Sequence, residues 1–368
     1  MKIVVGVPPL AHVSLANDEI AALQQIGYAC YPVQYGRNNI SGSAFSKLLA
    51  TVQIGWRLIR QLYTIKPQLL YLNSRFEIVG SSRDFVTMLL IKLFYYRKLA
   101  VVIKSHGSEA DTIHTAGQAF RKYILGFLIS QVDGWIFLSE DEKQLLSNQF
   151  PAMRGRLFVA PNIIDPSRCI RNNHFDADYS LPAHKFKILY VGRVVREKGV
   201  FDIVDAIRDF ENKEDTAVII VGNGPDLIAL QQHVKEKGLE KYVHFMGFLP
   251  DHECDHFYAN ADLLLFPTYA AEGFAMALFK SVAVGLPIIT TKVRAALDHL
   301  KEPDNVLWVR SKNPADIAAA VNNLMSNKML MQSMGKNNLA LGKQFSGMAV
   351  AQKMNLIFDQ SLKNAGSK

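Results

Sequence analysis

Two cations follow the apolar run FKILYVG at 186–192: Arg193 and then Lys198, with Gly199 and a helical pattern directly after them. A guanidinium offers a planar fork and an ammonium a compact charge, so the pair is suited to clamping a diphosphate. Gly192 removes a side chain where a phosphate would have to approach the backbone. Taken alone, basic residues in such a loop are more often solvated surface, and the pair needs support from elsewhere in the chain.

The segment ADLLLFPTYAAEGFAMALFKSVAVGLPIITT at 261–291 offers that support. After Pro267 a loop carries Glu272, Gly273 and Phe274 into a helix expected to begin near Ala275 and Met276. The first-turn N–H groups and the positive end of the helix dipole make an anion site that needs no metal. Glu272 is placed to accept hydrogen bonds from sugar hydroxyls, and simple helix capping is an equally good reading of it. Between these segments, VGNGPDL at 221–227 ends a strand in a turn holding Asn223 and Gly224, with Asp226 suited to capping the next helix. This is not a dinucleotide fingerprint, because Pro225 interrupts it and no third glycine follows at the needed spacing.

The elements that must position these residues alternate regularly. Short apolar runs are expected as strands at 2–7, 29–33, 69–73, 99–105, 134–139 and 157–161, with helical patterns between them. A second series of strands is expected at 186–192, 216–222, 243–247, 261–267, 286–291 and 305–309. Such alternation predicts an α/β architecture of two doubly wound parallel sheets, with a ligand crevice at the carboxyl ends of the strands between the domains. The polar stretch RNNHFDADYSLPAHK has no apolar periodicity. The expected division is a domain over 1–172, a linker over 173–185, a domain over 186–345, and a helix over 346–368 packing back on the first domain.

Composition narrows the class. The 368 residues are 49% hydrophobic and 20% charged, as befits a globular chain. Lys and Arg exceed Asp and Glu by six over residues 1–180 and by two over the rest. A basic first half can meet anionic lipid headgroups, an acidic acceptor or nucleic acid. The last is disfavoured, since no zinc-finger spacing, RNP-like aromatic run or block of like charge occurs. Cys30, Cys169 and Cys254 lack disulfide or metal-ligand spacing, which fits a reducing cytoplasm, and the longest apolar stretch, 85–96, is too short to span a bilayer. The opening MKIVVGVPPLA reads as a first strand and not as a cleaved signal.

In order and spacing, the three loop segments resemble the C-terminal domain of the family 4 glycosyltransferases, the retaining GT-B group, over about 187–325. The resemblance implies a GT-B fold of two Rossmann-like domains, with Arg193 and Lys198 holding the donor diphosphate. Glu272 is similar to the first acid of the family's E-x7-E motif, and Phe274, Ala275 and Met276 to the backbone segment beneath the donor sugar. Gly192, Asn223, Gly224 and Gly273 would line the donor. SHGSEAD at 105–111 resembles the family's histidine loop, so His106 would hydrogen-bond near the reacting sugar. Three departures stand out: Lys280 replaces the second acid, which would bind ribose; Arg294 and Ala295 replace paired glycines; and 7–23 lacks a Gly-Gly loop. Asp176 to Asp178 form a literal DxD triplet in the polar stretch, with no strand before it, and no metal is assigned to them.

The resemblance implies a metal-independent hexosyltransferase without cofactor. It would move a sugar from a UDP- or GDP-sugar to a surface glycan or lipid-linked acceptor, in the cytoplasm or at the inner face of its membrane. The competing reading is a non-catalytic GT-B subunit that binds or scaffolds glycans.

Overall fold

A computed structural model describes residues 1–8, 13–36, 43–76, 78–108 and 119–367. It divides the chain into two compact units, residues 1–163 with 346–368 and residues 164–345.

The first unit runs β1 (Lys2–Val7), α1 (Val13–Gln25), β2 (Ala29–Gln34), α2 (Ala44–Ile65), β3 (Leu69–Phe76), α3 (Ile78–Phe94), β4 (Ala100–Ser108), α4 (Ala119–Gln131), β5 (Gly134–Phe137), α5 (Glu140–Gln149) and β6 (Leu157–Val159). The strands form one parallel sheet of order β2-β1-β3-β4-β5-β6. Because side chains alternate along a strand, each strand feeds both faces. Val4, Leu70, Val101 and Ile103 pack with the helices α2 to α4, whereas Ile3, Val5, Tyr71 and Val102 pack on the opposite face.

The second unit runs α6 (Phe175–Asp178), β7 (Phe186–Val191), α7 (Val200–Ala206), β8 (Thr216–Val221), α8 (Leu227–Glu236), β9 (Val243–Gly247), α9 (Asp251–Asn260), β10 (Leu263–Phe266), α10 (Met276–Val284), β11 (Ile288–Thr290), α11 (Arg294–His299), β12 (Leu307–Trp308), α12 (Pro314–Ser326) and α13 (Lys328–Gly342). Its sheet is also parallel, of order β12-β11-β10-β7-β8-β9. Two such sheets with helices around them are the α/β GT-B architecture expected from the sequence.

The chain then returns to the first unit as α14 (Gly347–Gly366). Val350, Ala351, Met354, Ile357 and Phe358 complete the second apolar face of the first sheet. Phe358 meets the rings of Tyr28 and Tyr71 edge-on at 5.9 and 5.4 Å. Gly134 of β5 lets this helix approach, since a Cβ there would lie 2.3 Å from the Ser361 hydroxyl.

The stretch expected as a linker at 173–185 belongs to the second unit. Phe175 is buried and packs edge-on against Phe257 of α9 at 5.0 Å, and Tyr179 lies 4.6 Å from the same ring. Lys187 pairs with Asp176 at 3.1 Å. Two aromatics spaced among polar residues give no helical periodicity to read, yet they are enough to pin a short segment. Residues 9–12, within the N-terminal segment singled out above, and 109–111 of the histidine loop lie outside the described residues.

Candidate active site

The loops 192–199, 222–226 and 267–275 leave the carboxyl ends of β7, β8 and β10, three neighbouring strands. β7 comes first in the sequence, and the order runs outward from it on both sides, so the loops meet where the strand order reverses. Open α/β sheets bind ligands at this point.

Main-chain hydrogen bonds join the three loops. Val194 N–H donates to the Asn223 carbonyl at 3.0 Å, and Asp226 N–H donates to the Val194 carbonyl at 3.2 Å. The Glu197 carbonyl accepts from Tyr269 N–H at 2.9 Å, Ala270 N–H at 3.1 Å and the Thr268 hydroxyl at 3.3 Å. Two glycines make the approach of the first two loops feasible. Gly222 has φ +141°, and a Cβ there would stand 1.9 Å from the Gly192 carbonyl; one on Gly224 would stand 2.2 Å from that of Val194. Gly192 N–H in turn donates to Val221 at 3.0 Å. The helix-capping role expected of Asp226 is not the one it plays. α8 begins after it without a side-chain cap, and its Oδ2 accepts from Arg196 N–H at 2.9 Å, binding loop to loop.

Lys198 and Glu272, predicted separately, form an ion pair between two of these loops, each partly buried. Burial lowers the Lys198 pKa below the ordinary lysine value, the Glu197 carboxylate opposes this, and the neighbouring Arg193 cation adds to the lowering. Arg193 is exposed, and its guanidinium makes no ion pair among the described residues. Its carbonyl is fixed by the buried Tyr190 hydroxyl at 2.9 Å.

The loop after β10 passes Glu272 and Gly273 and enters α10 at Met276, with Ala275 at the N-cap and no side-chain cap there. Phe274 turns its ring into the core, stacked on Phe279 at 3.8 Å with 9° between planes and edge-on to Phe345 at 5.8 Å. What Phe274 leaves to a ligand is its backbone. The arrangement sets the Arg193 and Lys198 cations and a helix start beside the Glu272 carboxylate, with Glu197 and Asp226 in the same loops.

Lys280, expected along the donor, is engaged with another residue. Its Nζ donates to Oδ1 of the buried Asp255 on α9 at 2.5 Å and lies 5.7 Å from the Tyr258 ring. Nothing in the sequence flags Asp255, which sits on a different helix. Asp176 and Asp178 also have structural partners, Lys187 for the first and the Asn172 amide at 2.7 Å for the second. Among the described residues no group of three or more His, Cys, Asp and Glu is placed to hold a metal ion.

In the first unit, His106 lies at the end of β4, where its Nε2 is 2.6 Å from Oδ1 of Asn73. Asn73, wholly buried on β3, also donates weakly to the Gly6 carbonyl at 3.4 Å. Beside it, Asp84 accepts from the Tyr35 hydroxyl at 2.8 Å and from Ser74 at 2.5 Å, and Arg83 closes the network on Ser74 at 2.7 Å. Sequence reasoning missed Asn73 and Asp84, since neither stands at a spacing that signals a site.

Residues 172–340 match the family model described as glycosyl transferases group 1. An uncharacterized glycosyltransferase of Methanocaldococcus jannaschii is 27% identical over 139 residues, 38% of this chain and 35% of that protein, so the match spans about a third of its length. An O-antigen biosynthesis glycosyltransferase of Escherichia coli, WclY, is 22% identical over 78% of this chain and 80% of its own. Among solved structures, Anabaena HepE in complex with UDP superimposes with a TM-score of 0.77 at 16% identity, over 98% of this chain and 100% of that one. The same protein in complex with UDP-glucose gives 0.74 at 17% identity, over 98% of this chain and 99% of that one. The matched segment carries all three loops of this site and is similar to the group 1 glycosyltransferases, and the likeness to HepE shows a shared GT-B fold.

Proposed function

We propose that the chain transfers a hexose, with retention at the anomeric carbon, from a UDP- or GDP-sugar to a surface-glycan or lipid-linked acceptor. The observation that carries this reading is the placing of Arg193, Lys198 and the start of α10 around one strand-order reversal, with Glu272 held against Lys198. The UDP and UDP-glucose bound by HepE, and the O-antigen role in the name of the Escherichia coli relative, support the donor and acceptor classes.

In this reading the bond between the anomeric carbon and the diphosphate oxygen breaks, and the acceptor oxygen bonds to that carbon. The acceptor proton passes to the departing diphosphate. Arg193 and Lys198 stabilise the charge that grows on the leaving group, assisted by the dipole of α10, so that this charge is met without a metal ion. Donor binding draws Lys198 toward phosphate and frees Glu272 to accept from sugar hydroxyls. His106, oriented by Asn73, hydrogen-bonds the sugar. Gly192, Asn223, Gly224, Gly273 and the backbone of 274–276 line the donor. Lys280, already neutralised by Asp255, takes no ribose hydroxyl in the way a carboxylate would. We place the reaction in the cytoplasm.

A thermal-shift series with UDP-, GDP- and ADP-sugars, followed by product analysis, tests the reading. Stabilisation by a uridine or guanosine donor and glycosylation of an acceptor are expected. A well-folded sample that no nucleotide stabilises would overturn it in favour of a glycan-binding subunit.

A further inference from the structure

Eight of the eighteen exposed large apolar side chains among the described residues fall on two short segments of the first unit, 43–66 and 85–98. They are Leu48, Leu49, Trp56 and Tyr63 on α2, and Leu89, Leu93, Phe94 and Tyr96 on or just after α3. Leu49, Trp56 and Tyr63 are seven residues apart in succession, so they form one stripe along α2. The stripe joins α3 directly: the Trp56 and Phe94 rings are 4.8 Å apart, and the Tyr63 hydroxyl donates to the Phe94 carbonyl at 2.6 Å. Tyr96 is 84% exposed. Neither the core nor the candidate active site uses these side chains.

The same two segments carry seven Lys and Arg and no Asp or Glu: Lys47, Arg57, Arg60, Lys66, Lys92, Arg97 and Lys98. None of the seven forms an ion pair with a described residue. Three of them gather at a cavity of about 320 Å³ lined by Lys66, Gln68, Tyr95, Arg97, Lys98 and Leu362. The cavity continues the apolar stripe, because Tyr95 on its wall packs edge-on against Tyr63 at 5.1 Å. An aromatic and aliphatic stripe beside uncompensated cations is the composition of a surface that lies at a bilayer interface.

We infer that the α2–α3 face of the first unit docks on an anionic phospholipid bilayer, with Trp56, Tyr63, Phe94 and Tyr96 entering the headgroup region and Lys66, Arg97 and Lys98 gripping lipid phosphates. Charge selects this occupant over a second copy of the chain, since two such faces, neither carrying an Asp or Glu, would set fourteen cations against each other. Among the described residues no helix is long and apolar enough to cross a membrane, so the contact is peripheral. The inference stands apart from the transfer reading, because the contact needs neither donor nor acceptor.

Co-sedimentation of the intact protein with phosphatidylcholine vesicles, with and without phosphatidylglycerol, tests the inference in the absence of nucleotide. Binding is expected only with phosphatidylglycerol, falling as salt rises. Lys66→Glu with Arg97→Glu and Lys98→Glu should weaken it more than roughly tenfold, while Lys328→Glu with Lys336→Glu on α13 leaves it unchanged. Trp56→Ser with Tyr96→Ser should weaken it at unchanged melting temperature. The inference is overturned if phosphatidylglycerol vesicles fail to bind the protein, if both sets of charge reversals act alike, or if the serine variants abolish a dimer and leave vesicle binding intact.

Discussion

The carboxyl ends of β7, β8 and β10 are joined by main-chain bonds from Val194, Asp226, Tyr269 and Ala270, whereas those of β1, β3 and β4 are joined by side chains, Asn73 to Gly6 and His106, with Ser74 and Asp84 beside them. A backbone frame tolerates most side chains but demands glycine where two carbonyl-bearing turns nearly touch, as at Gly222 and Gly224. A side-chain frame demands particular polar groups and is lost when one is cut. In the second unit the charged residues are therefore borne by the frame, and in the first the polar residues are the frame. Substitutions should accordingly separate activity from stability in the second unit and couple them in the first.

The largest effect is expected at the cations. Arg193→Ala or Lys198→Ala should lower kcat by roughly 100- to 1000-fold while the melting temperature stays near that of the parent, measured by nucleotide release and thermal denaturation. A large loss of stability would mean that the charges hold the loops together after all. The pH profile sharpens the point. A lysine with a lowered pKa sheds its proton as pH rises through a value below the ordinary lysine range, so activity should fall there. Arg193→Gln removes a neighbouring cation and should move that alkaline limb upward; a limb that stays or moves down would remove Lys198 from the role.

Next in size is Lys280→Glu. From the sequence this change is expected to alter nucleotide preference and leave the fold intact. The pairing with buried Asp255 overturns that expectation, because two carboxylates would then face each other. A loss of about 3 kcal/mol is expected in denaturant unfolding, partly restored by adding Asp255→Leu. Equal stability of Lys280→Glu and the parent would show that the pair is only a surface contact.

A smaller loss is expected in the first unit. Asn73→Ala should cost about 1–3 kcal/mol and lower activity together with stability, and His106→Ala added to it should have little further effect on kcat. Independent, additive effects on kcat would break the proposed positioning of His106 by Asn73. The smallest effect has the opposite sign. Gly126 lies inside α4, where an added Cβ meets nothing within 4 Å, and Gly126→Ala should stabilise by about 0.5–1 kcal/mol.

This contrast also explains what could be read from the sequence. Arg193, Lys198 and Glu272 were legible because each follows an apolar run, and the runs fix the strands. Gly222 and Gly224 were visible as a glycine-rich turn, although which carbonyls they skirt was not. Asp255 was opaque, since its partner Lys280 lies on the next helix and no periodicity links them. The boundary between the units was misplaced because Phe175 and Tyr179, too few to make a pattern, still anchor 173–185 on Phe257.

The return of the chain as α14 has a consequence for synthesis. Residues 164–345 are inserted between β6 and α14, and the two ends of the insert lie side by side, with Ile164 N–H donating to the Phe345 carbonyl at 2.9 Å. Growing from its N-terminus, the chain makes the first sheet early but must wait through the whole insert for the residues that cover the Tyr28, Tyr71 and Val102 face. The whole second unit is made while the first still shows a bare apolar surface. The unit that starts first closes last, and removing residues 347–366 would leave the first sheet open and prone to aggregate.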